Sequence, residues 1–484
     1  MKHLPRYLIV TMFLLVSQMA RADLAGDIRA ALQDKLLQKA QVGIQVVELG
    51  EKPAAARTVF AHQADLPLIP ASNQKLLTTS AALEVLGEKF VFRTLLVQRG
   101  QDLVLIGDGD PTFGDAEMLR KAGWGVTTVF DNWAAQLPRQ QVKTVANVLV
   151  DDSVFDENFA HPNWPADQLH KRYVAQVGGM NLNVNCVDFY LQVRGAGETV
   201  LFRMDPQTNY VTVQNSCISG GSDAVWLLRQ TGANDLVLRG TTPTSNKEPV
   251  SVTIHDPAMF AATVLAERLV AGGLKVTGSV ARDRTVRQRL LEGDKGFTVL
   301  AVHETPIGMV LARTNKDSMN LYAEALLKRM GFAASGRSGS WESGAAAVRG
   351  ALRRIGVDQN QVRIDDGCGL SRQNAVTAQV LCSLLAHCFH GPGRDAMMAS
   401  LAVAGQDGTL DKRFEGTDLR GRVVAKSGYI RQVSALSGYL RARNGSWYAF
   451  SILMNGVPEG SNWRMKAIQE QIVKAVDAST APAR

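Results

Sequence analysis

The sequence has few features of membrane-spanning, nucleic-acid-binding or zinc-dependent proteins. After the first 25 residues, no apolar run is long and unbroken enough to span a bilayer. Lys and Arg form no cluster with interleaved aromatic residues, which excludes the usual nucleic-acid-binding pattern. Neither H-E-x-x-H nor G-x-S-x-G occurs, so the common zinc-peptidase and α/β-hydrolase signatures are absent as well.

The first 22 residues have the pattern of a secretory signal. Lys2 and Arg6 give a basic start, Tyr7 to Val16 forms a short apolar run, and Ala20-Arg21-Ala22 is an A-x-A cleavage site. The apolar run is too short to span a membrane comfortably. We therefore predict cleavage after residue 22 and a periplasmic location, with an uncleaved anchor as the alternative.

Cysteine is scarce, and its count is odd. An exported chain with five cysteines leaves at least one thiol free or paired between molecules. Cys382 and Cys388 would lie about 120° apart around a helix axis, which makes a bridge between them unfavourable. Cys186 and Cys217 flank strand-like segments and are the pair that the sequence favours. The first cysteine lies far from the signal cleavage site, which argues against a lipidated N-terminus.

A metal site is not indicated either. Cys382, His387, Cys388 and His390 lie close together in the sequence, but their spacing matches no common metal site. They are better interpreted as polar residues at a helix end. We predict no metal and no other cofactor.

The overall composition is that of an ordinary globular protein. Hydrophobic residues make up 46% and charged residues 20% of the 484-residue chain, which allows large cores and about three domains. Removal of Lys2, Arg6 and Arg21 with the signal lowers the formal net charge from +8 to +5. This charge is consistent with, at most, a peripheral association with an anionic membrane surface.

Periodicity and turn residues divide the chain into three stretches. The first contains a helix over 28–39, a strand over 42–49 and a helix over 72–86 that ends at Gly87. The second contains short strands separated by Gly, Asn, Asp and Pro clusters, as in an all-β or α+β insertion. We predict these strands over 92–98, 103–106, 145–150, 188–193, 210–213 and 236–238, followed by a helix over 257–271 and a short strand near Val276.

The third stretch is helical and closes with a strand meander. We predict helices over 307–312, 321–330, 344–355 and 377–388, then strands over 423–430, 436–442 and 447–454. Asn444-Gly445 predicts a type I′ turn between the last two strands. Asn462 is predicted to cap a final helix over 463–476, in which Ile468, Ile472 and Val476 recur at helical spacing.

Candidate catalytic residues begin with the stretch Pro70-Ala71-Ser72-Asn73-Gln74-Lys75. Ser72 is predicted at the N-terminus of a helix, where unpaired N–H groups and the helix dipole favour negative charge. Lys75 lies three residues on and therefore on the same helix face. This geometry suits a serine nucleophile with an amine as its base. The alternative is an ordinary serine N-cap, since S-x-x-K also occurs by chance.

Two further stretches strengthen the catalytic interpretation. Ser318 and Asn320 lie in a polar segment that leads into a helix, and Lys426-Ser427-Gly428 lies inside an otherwise apolar strand. A lysine in such a strand is costly to bury. Each stretch has a structural alternative, namely an N-cap for the first and an edge-strand lysine for the second. As an ordered set, they point to a hydroxyl, an amide and two lysines that converge.

The ordered set resembles the three signatures of penicillin-binding proteins and serine β-lactamases. These are Ser72-x-x-Lys75, Ser318-x-Asn320 and Lys426-Ser427-Gly428. Further stretches are similar to the D-alanyl-D-alanine carboxypeptidase/endopeptidase branch called penicillin-binding protein 4. They are Gly107-Asp108-Gly109-Asp110-Pro111-Thr112, Asp366-Gly367-Cys368-Gly369-Leu370-Ser371-Arg372 and Val403-Ala404-Gly405-x-Asp407-Gly408-Thr409-Leu410.

The resemblance implies an α/β (α+β) fold with a split transpeptidase-like domain. That domain would be an antiparallel sheet with helices on both sides, carrying a large β-rich insertion. The 243 positions from Lys75 to Ser318 fit such an insertion. We expect residues 23–91 and 286–484 to form the catalytic domain, 92–157 and 255–285 a second domain, and 158–254 a β-rich third domain.

The resemblance also implies a mechanism and partners. Lys75, kept neutral by burial and by the charge of Lys426, would take the Ser72 proton, and Ser318 would relay a proton to the leaving D-alanine. Asn320 would hold the penultimate amide. The N–H groups of Ser72 and Tyr429 would form the oxyanion hole. Expected partners are peptidoglycan stem peptides and acylating β-lactams.

Binding of the substrate carboxylate is the other implied role. Lys426 would meet this carboxylate as a cation, while Ser427, Gly428, Tyr429 and Arg372 are the other expected substrate-binding residues. Two positions depart from the family pattern: the third motif is K-S-G where K-T-G is commoner, and Cys368 stands where serine is usual.

The expected activity is a serine D,D-peptidase that hydrolyses D-Ala-D-Ala ends, cross-links of peptidoglycan, or both. A serine β-lactamase is the alternative within enzymes, and a catalytically idle wall-binding scaffold is the alternative outside them. The sequence leaves open carboxypeptidase against endopeptidase preference, the diamino acid that is recognised, and the oligomeric state.

Overall fold

The structure is a computed structural model that describes residues 23–480. The predicted signal, residues 1–22, lies outside the described residues. Within 23–480, no helix combines the length and the apolar character needed to cross a membrane. The fold is mixed α/β, as the sequence predicts.

The helices are taken first, in chain order. In residues 23–480 they are α1 Leu24–Leu32, α2 Gln74–Val85, α3 Ala116–Arg120, α4 Thr128–Gln136, α5 Pro257–Ala271, α6 Val286–Leu291, α7 Ile307–Asn315, α8 Asn320–Ser335, α9 Trp341–Arg354, α10 Ala378–His390, α11 Arg394–Ser400 and α12 Asn462–Ser479.

The strands follow in the same order. In residues 23–480 they are β1 Gln41–Glu48, β2 Arg57–His62, β3 Val91–Arg99, β4 Asp102–Ile106, β5 Thr144–Val145, β6 Val148–Asp151, β7 Cys186–Gln192, β8 Leu201–Asp205, β9 Thr212–Ser219, β10 Ala224–Arg229, β11 Asp235–Thr242, β12 Val250–Thr253, β13 Lys275–Val276, β14 Val280–Arg282, β15 Thr298–Pro306, β16 Val362–Arg363, β17 Ala375–Val376, β18 Ala402–Val403, β19 Val423–Ile430, β20 Val433–Arg441 and β21 Trp447–Asn455.

The described chain divides into two compact units. The first unit comprises residues 23–70, 376–391 and 401–480, and the second comprises 71–375 and 392–400. The N-terminal and C-terminal segments therefore fold together in the first unit, while the long middle of the chain forms the second. The three-domain bounds expected from the family resemblance stay a prediction.

The first unit is built on a six-stranded sheet of order β18-β19-β20-β21-β1-β2, in which neighbouring strands are antiparallel. Leu436 and Leu440, on one face of β20, lie in a common apolar core with Ile468 and Ile472 of α12. Tyr439 points to the opposite face, where its hydroxyl donates to the Leu385 carbonyl of α10 at 2.8 Å. Helices thus cover both faces of this sheet, as the resemblance implies.

The second unit contains the β-rich part of the chain. A five-stranded mixed sheet of order β14-β6-β4-β3-β15 is accompanied by two three-stranded sheets, β10-β11-β9 and β12-β7-β8. One extended apolar core joins these strands to α4 and α5. Helices α2, α7, α8 and α9 pack against one another in the same unit.

Helix α8 lies in the interior of the second unit. Leu321 to Leu327 is buried without interruption, so the usual polar face of a surface helix is missing here. Glu324 is part of this buried run and is completely inaccessible. A carboxyl group in such a position must find hydrogen-bond donors, because burying it without them is costly.

Most predicted elements are confirmed with shifted ends. The helix over 257–271 and the strand over 423–430 have the predicted bounds. The helix predicted over 28–39 is wrong in its bounds, because the α-helix ends at Leu32 and a short 3₁₀ turn follows over Lys35–Leu37. Strands β2, β8, β10, β12 and β15 are among the elements that were not predicted, and each has a half-exposed or exposed burial pattern over much of its length.

The hairpin between β20 and β21 is confirmed, but its predicted turn type is wrong. A type I′ turn needs positive φ at both central residues. Gly445 has φ +87°, whereas Asn444 is not among the residues with positive φ. The Asn444 side chain instead accepts the N–H of Ser446 at 2.9 Å. The connection is therefore a longer loop with a single left-handed glycine.

The favoured cysteine pair is also wrong. None of the five cysteines, which all lie within the described chain, forms a disulfide, and all five are buried. Cys186 begins β7 in the sheet β12-β7-β8, and Cys217 lies on β9 in the sheet β10-β11-β9. Because the two strands belong to different sheets, their side chains are not opposed across one strand pair, as a bridge between neighbouring strands would require.

A buried carboxylate ties α12 to the loops at the ends of β19 and β20. Asp477, 1% exposed, accepts hydrogen bonds from the guanidinium of Arg422 at 2.7 and 2.9 Å and from that of Arg443 at 2.9 and 3.0 Å. Burial raises the pKa of Asp477, but these hydrogen bonds outweigh it and hold the pKa below the ordinary 3.8.

We expect Asp477→Asn to lower stability by about 2 kcal/mol at pH 7. The folded-state pKa is depressed, so the carboxylate contributes fully above the ordinary value of 3.8 and its contribution is lost as pH falls through the folded pKa. Calorimetry should show Tm lowered by about 4 °C at pH 7, and a smaller difference at pH 3. Glu415→Gln, at an exposed acid of the same unit, is the control and should change neither value. An equal loss at both pH values would contradict the assignment.

Candidate active site

Ser72 lies in a short 3₁₀ turn, Ala71–Asn73, immediately before α2. The α-helix thus begins two residues later than predicted, but Ser72 still lies at its N-terminal end. Ala71 has φ +47°, a left-handed conformation that is unfavourable for a residue with a Cβ atom. Strain of this kind is often found where a reactive group must be held in a fixed direction.

The amine of Lys75 is fully buried and faces three oxygens. Its Nζ lies 3.1 Å from Ser72 Oγ, 2.7 Å from Asn320 Oδ1 and 2.9 Å from the carbonyl oxygen of Cys368. The structure therefore brings together Ser72, Lys75 and Asn320, three of the predicted catalytic residues. Burial lowers the pKa of Lys75, although Cys368, Asp366 and Glu324 oppose that effect.

The orientation of the Asn320 amide is fixed by a second contact. Its Nδ2 donates to the carbonyl of Tyr173 at 2.7 Å, so Oδ1 must face Lys75. Ser318, two residues earlier, has φ +59°. Ala71, which precedes Ser72, and Ser318 of the second motif are therefore both strained non-glycine residues in the same unit.

A turn over residues 366–369 supplies the third oxygen to Lys75. Gly369 has φ +86°, and a Cβ atom there would lie 1.8 Å from the carbonyl oxygen of Ala71. Only glycine can bring the turn this close to Ala71, the residue that precedes Ser72. The approach also explains how the peptide of Cys368 reaches the buried amine.

Two buried carboxylates support this turn. Glu324 accepts the N–H groups of Gly367 at 3.0 Å and Cys368 at 2.7 Å, and the Trp341 indole at 2.8 Å. Asp366 accepts the N–H groups of Gly369 and Ser371, both at 2.7 Å. Burial raises the pKa of Glu324 to about 7.

These carboxylates raise the question of a metal. Glu324, Asp366 and the Cys368 thiol bring three candidate ligand atoms within 4.8 Å of one another. However, every carboxylate oxygen in this group already accepts at least one N–H. A cation would have to displace these donors, so the donor set fits a hydrogen-bonded scaffold and not a metal site. Among the described residues, Cys382, His387, Cys388 and His390 do not form a candidate metal group.

The third motif lies on β19 of the first unit. Lys426 is fully buried, with Nζ donating to the carbonyl of Ser427 at 2.8 Å. It pairs with Ser437 of β20, whose hydroxyl lies 2.9 Å from that of Ser451. The alternative of a solubilising edge-strand lysine is wrong, because the Lys426 side chain is completely inaccessible.

The other expected substrate-binding residues differ in accessibility. Ser427 is half-buried and Gly428 is buried on β19, whereas the Tyr429 side chain is 52% exposed. Arg372 is exposed in the second unit, shortly after the 366–369 turn. The substrate-binding roles of these four residues stay predictions.

The sequence analysis missed Glu324, and it quoted Asp366 only as part of a family-like stretch. A usable signal existed for Glu324, because a single acid stands in the apolar run Leu321-Tyr322-Ala323-Glu324-Ala325-Leu326-Leu327. A charge at such a position is rarely buried without a partner. No comparable signal marks the carbonyl of Tyr173, which acts through its backbone.

The Ser72–Lys75 arrangement suits a serine nucleophile with an amine as its base. The family model of the D-Ala-D-Ala carboxypeptidase 3 (S13) family matches residues 24–479. The chain belongs to this family of serine-type carboxypeptidases, since the match spans nearly all of it.

Two named relatives are D-alanyl-D-alanine carboxypeptidases, and a solved structure has a similar fold. The D-alanyl-D-alanine carboxypeptidase of Actinomadura sp. (strain R39) is 32% identical over 483 residues, which cover 93% of this chain and 85% of that protein. The D-alanyl-D-alanine carboxypeptidase DacB of Haemophilus influenzae is 23% identical over 444 residues, 88% of each chain. The crystal structure of penicillin binding protein 4 (dacB) from Haemophilus influenzae has a TM-score of 0.77 at 22% identity, covering 94% of this chain and 99% of that one.

We expect Gly369→Ala to impair the site because the added Cβ would collide with the Ala71 carbonyl. Gly293 provides a matched control: its φ is +80°, but nothing lies within 4 Å of an added Cβ. Gly293→Ala should cost only the conformational term of about 1 kcal/mol and leave activity unchanged. Gly369→Ala should cost more and lower peptidase kcat/KM by at least about tenfold. Similar kcat/KM in the two variants would show that the close approach is not required.

Proposed function

We propose that this protein is a periplasmic serine D,D-peptidase that works through an acyl-serine intermediate. Its substrates are peptidoglycan stem peptides ending in D-Ala-D-Ala, and cross-links in which D-alanine is joined to a diamino acid. The observation that carries the proposal is the set of three oxygens around Lys75 Nζ. β-Lactams, which present a strained amide to the same serine, are proposed as acylating inhibitors.

The three oxygens are not equivalent. A neutral amine has two N–H groups and one lone pair. Asn320 Oδ1 and the Cys368 carbonyl carry no proton, so they can only accept the two N–H groups. The lone pair then faces Ser72 Oγ, the one partner with a proton to give. Burial favours this neutral state because it lowers the pKa of Lys75.

The reaction steps follow from the orientation of the Lys75 lone pair toward Ser72 Oγ. As Ser72 Oγ bonds to the carbonyl carbon of the penultimate D-alanine, its proton passes to Lys75. The C–N bond then breaks, and the terminal D-alanine leaves as an amine that takes a proton, for which we propose Ser318 as the relay. Water hydrolyses the acyl-serine and regenerates the hydroxyl. Stabilisation of the oxyanion is assigned to the N–H groups of Ser72 and Tyr429.

Recognition of the free carboxylate is assigned to Lys426 and Ser427. A cation and a hydroxyl are the donors that a terminal carboxylate accepts best. Lys426 is buried on β19, where the loss of hydration strengthens its interaction with an anion. A cross-link hydrolase acts on a D-alanyl bond with a larger leaving group, so the same nucleophile would serve both reactions.

We expect labelled penicillin to acylate Ser72 and no other residue. Ser72→Ala should abolish labelling and lower peptide turnover by several orders of magnitude, because no other group supplies the nucleophile. Ser222→Ala, at an exposed serine of the second unit, is the control and should label like the unmodified protein. Peptide mass mapping locates the adduct. Label on another serine in Ser72→Ala would overturn the assignment, and rapid release of hydrolysed penicillin would favour a β-lactamase.

A second prediction concerns Lys426. If it binds the terminal carboxylate, Lys426→Gln should lower kcat/KM by about 10- to 100-fold on a peptide with a free terminal acid, because a charged hydrogen bond is lost. The loss on the matching C-terminal amide should be much smaller. Lys412→Gln, at an exposed lysine of the same unit, controls for net charge. Equal losses on acid and amide would assign Lys426 to proton transfer instead.

A further inference from the structure

Two consecutive peptide groups connect the helix that carries Lys75 to the buried carboxylates. In the first, between Gly367 and Cys368, the N–H donates to Glu324 Oε1 at 2.7 Å, and the carbonyl accepts the Thr78 hydroxyl at 2.7 Å. Thr78 lies on α2, three residues after Lys75, and is fully buried. This peptide group is therefore held on both edges.

The second peptide group, between Cys368 and Gly369, repeats the arrangement. Its N–H donates to Asp366 Oδ1 at 2.7 Å, and its carbonyl accepts from Lys75 Nζ at 2.9 Å. In a trans peptide the N–H and C=O point in opposite directions and lie in one plane. An acceptor that fixes the N–H thus fixes the direction of the carbonyl as well.

Further hydrogen bonds hold the two carboxylates of Glu324 and Asp366 in place. The Trp341 indole donates to Glu324 Oε2 at 2.8 Å, and the Trp164 indole donates to Asp366 Oδ2 at 3.0 Å. Asn374 Nδ2 adds a bond of 2.7 Å to Asp366 Oδ1. Consecutive hydrogen bonds in a buried series polarise one another. A carboxylate that accepts a peptide N–H therefore makes the carbonyl of the same peptide group a stronger acceptor.

We propose that Glu324 and Asp366 are positioning residues that act on Lys75 through these two peptide groups. By fixing the Cys368 carbonyl, which takes one N–H of the amine, they aim the amine's lone pair at Ser72. The inference rests on the proposed function, in which Lys75 is the base. It assigns both carboxylates a role in proton transfer that they exert through backbone groups.

The electrostatic consequence has a definite sign. The groups that face Lys75 are Glu324, Asp366 and Cys368, and Glu324 is also faced by Lys328. Negative charge on either carboxylate raises the pKa of Lys75, in opposition to burial. Removing the negative charge that Glu324 carries above its pKa of about 7 should therefore lower the pKa of Lys75 and move the acid limb of the pH–rate profile to lower pH. A purely structural role of Glu324 would lower the acylation rate without shifting the acid limb of the pH–rate profile.

The test compares Glu324→Gln with Glu342→Gln, an exposed acid in the first turn of α9. The measurements are the rate constant of penicillin acylation from pH 5 to 9 and kcat/KM on a D-Ala-D-Ala peptide. We expect Glu324→Gln to lower the plateau of the pH–rate profile by about 10- to 100-fold and to shift the acid limb of that profile to lower pH. Glu342→Gln should do neither. A lower plateau with an unmoved limb, or no change at all, would overturn the proposal.

A second pair keeps the test decisive if Glu324→Gln does not fold. Thr78→Val removes the hydroxyl that holds the Gly367 carbonyl, whereas Thr78→Ser keeps it. We expect slower acylation in Thr78→Val and near-normal acylation in Thr78→Ser, with equal rates contradicting the proposal. NMR titration of ¹³C-labelled lysine, with Lys75 assigned from Lys75→Met, reports its pKa without turnover. A protein that penicillin does not acylate, but whose Lys75 pKa falls in Glu324→Gln, would reject the proposed function and keep the positioning role.

Discussion

The buried amine of Lys75 is the constraint on which the rest of the site depends. Burial disfavours its charged form, so the amine must be supplied with partners that suit a neutral group. A hydroxyl, an amide oxygen and a peptide carbonyl meet this need within 3.1 Å. The strained φ values at Ala71 and Ser318 and the glycine at 369 are the local conformations with which the second unit places these groups.

The support behind the amine explains a departure from the family pattern. Cys368 stands where serine is usual, yet its contributions to the site are a backbone N–H for Glu324 and a backbone carbonyl for Lys75. Its thiol lies 3.7 Å from Asp366, in the position of a weak donor. Because backbone groups make these contacts, a thiol or a hydroxyl at this position is compatible with the same arrangement. Burial also raises the thiol pKa well above its ordinary value, so the thiolate is disfavoured.

The K-S-G departure can be treated in the same way. Serine and threonine both present one hydroxyl, and Ser427 occupies a half-buried position on β19, where it pairs with Leu436 of β20. The missing methyl group changes shape and not donor chemistry. The burial of Lys426 is the more demanding feature, since a buried lysine is costly unless an anion or a set of acceptors compensates.

The sequence by itself determined the element types along most of the chain, the order of the three motifs and the pairing of Ser72 with Lys75. These features depend on local periodicity and on spacing within one helix turn, which are written in consecutive residues. It failed at the β20–β21 turn, where the conformation of Asn444 is set by its own side-chain hydrogen bond, and at Cys186 and Cys217, whose pairing depends on which sheet each strand joins.

Only the tertiary structure decided what surrounds Lys75. The Asn320 amide, the Cys368 carbonyl and the Glu324 carboxyl come from segments separated from Lys75 by more than two hundred residues. Hydrogen bonds that act through backbone groups leave no trace in residue type, because every residue has a carbonyl and nearly every residue an N–H. Contacts between distant segments of the chain, and not local sequence pattern, therefore set the surroundings of the Lys75 amine beside Ser72.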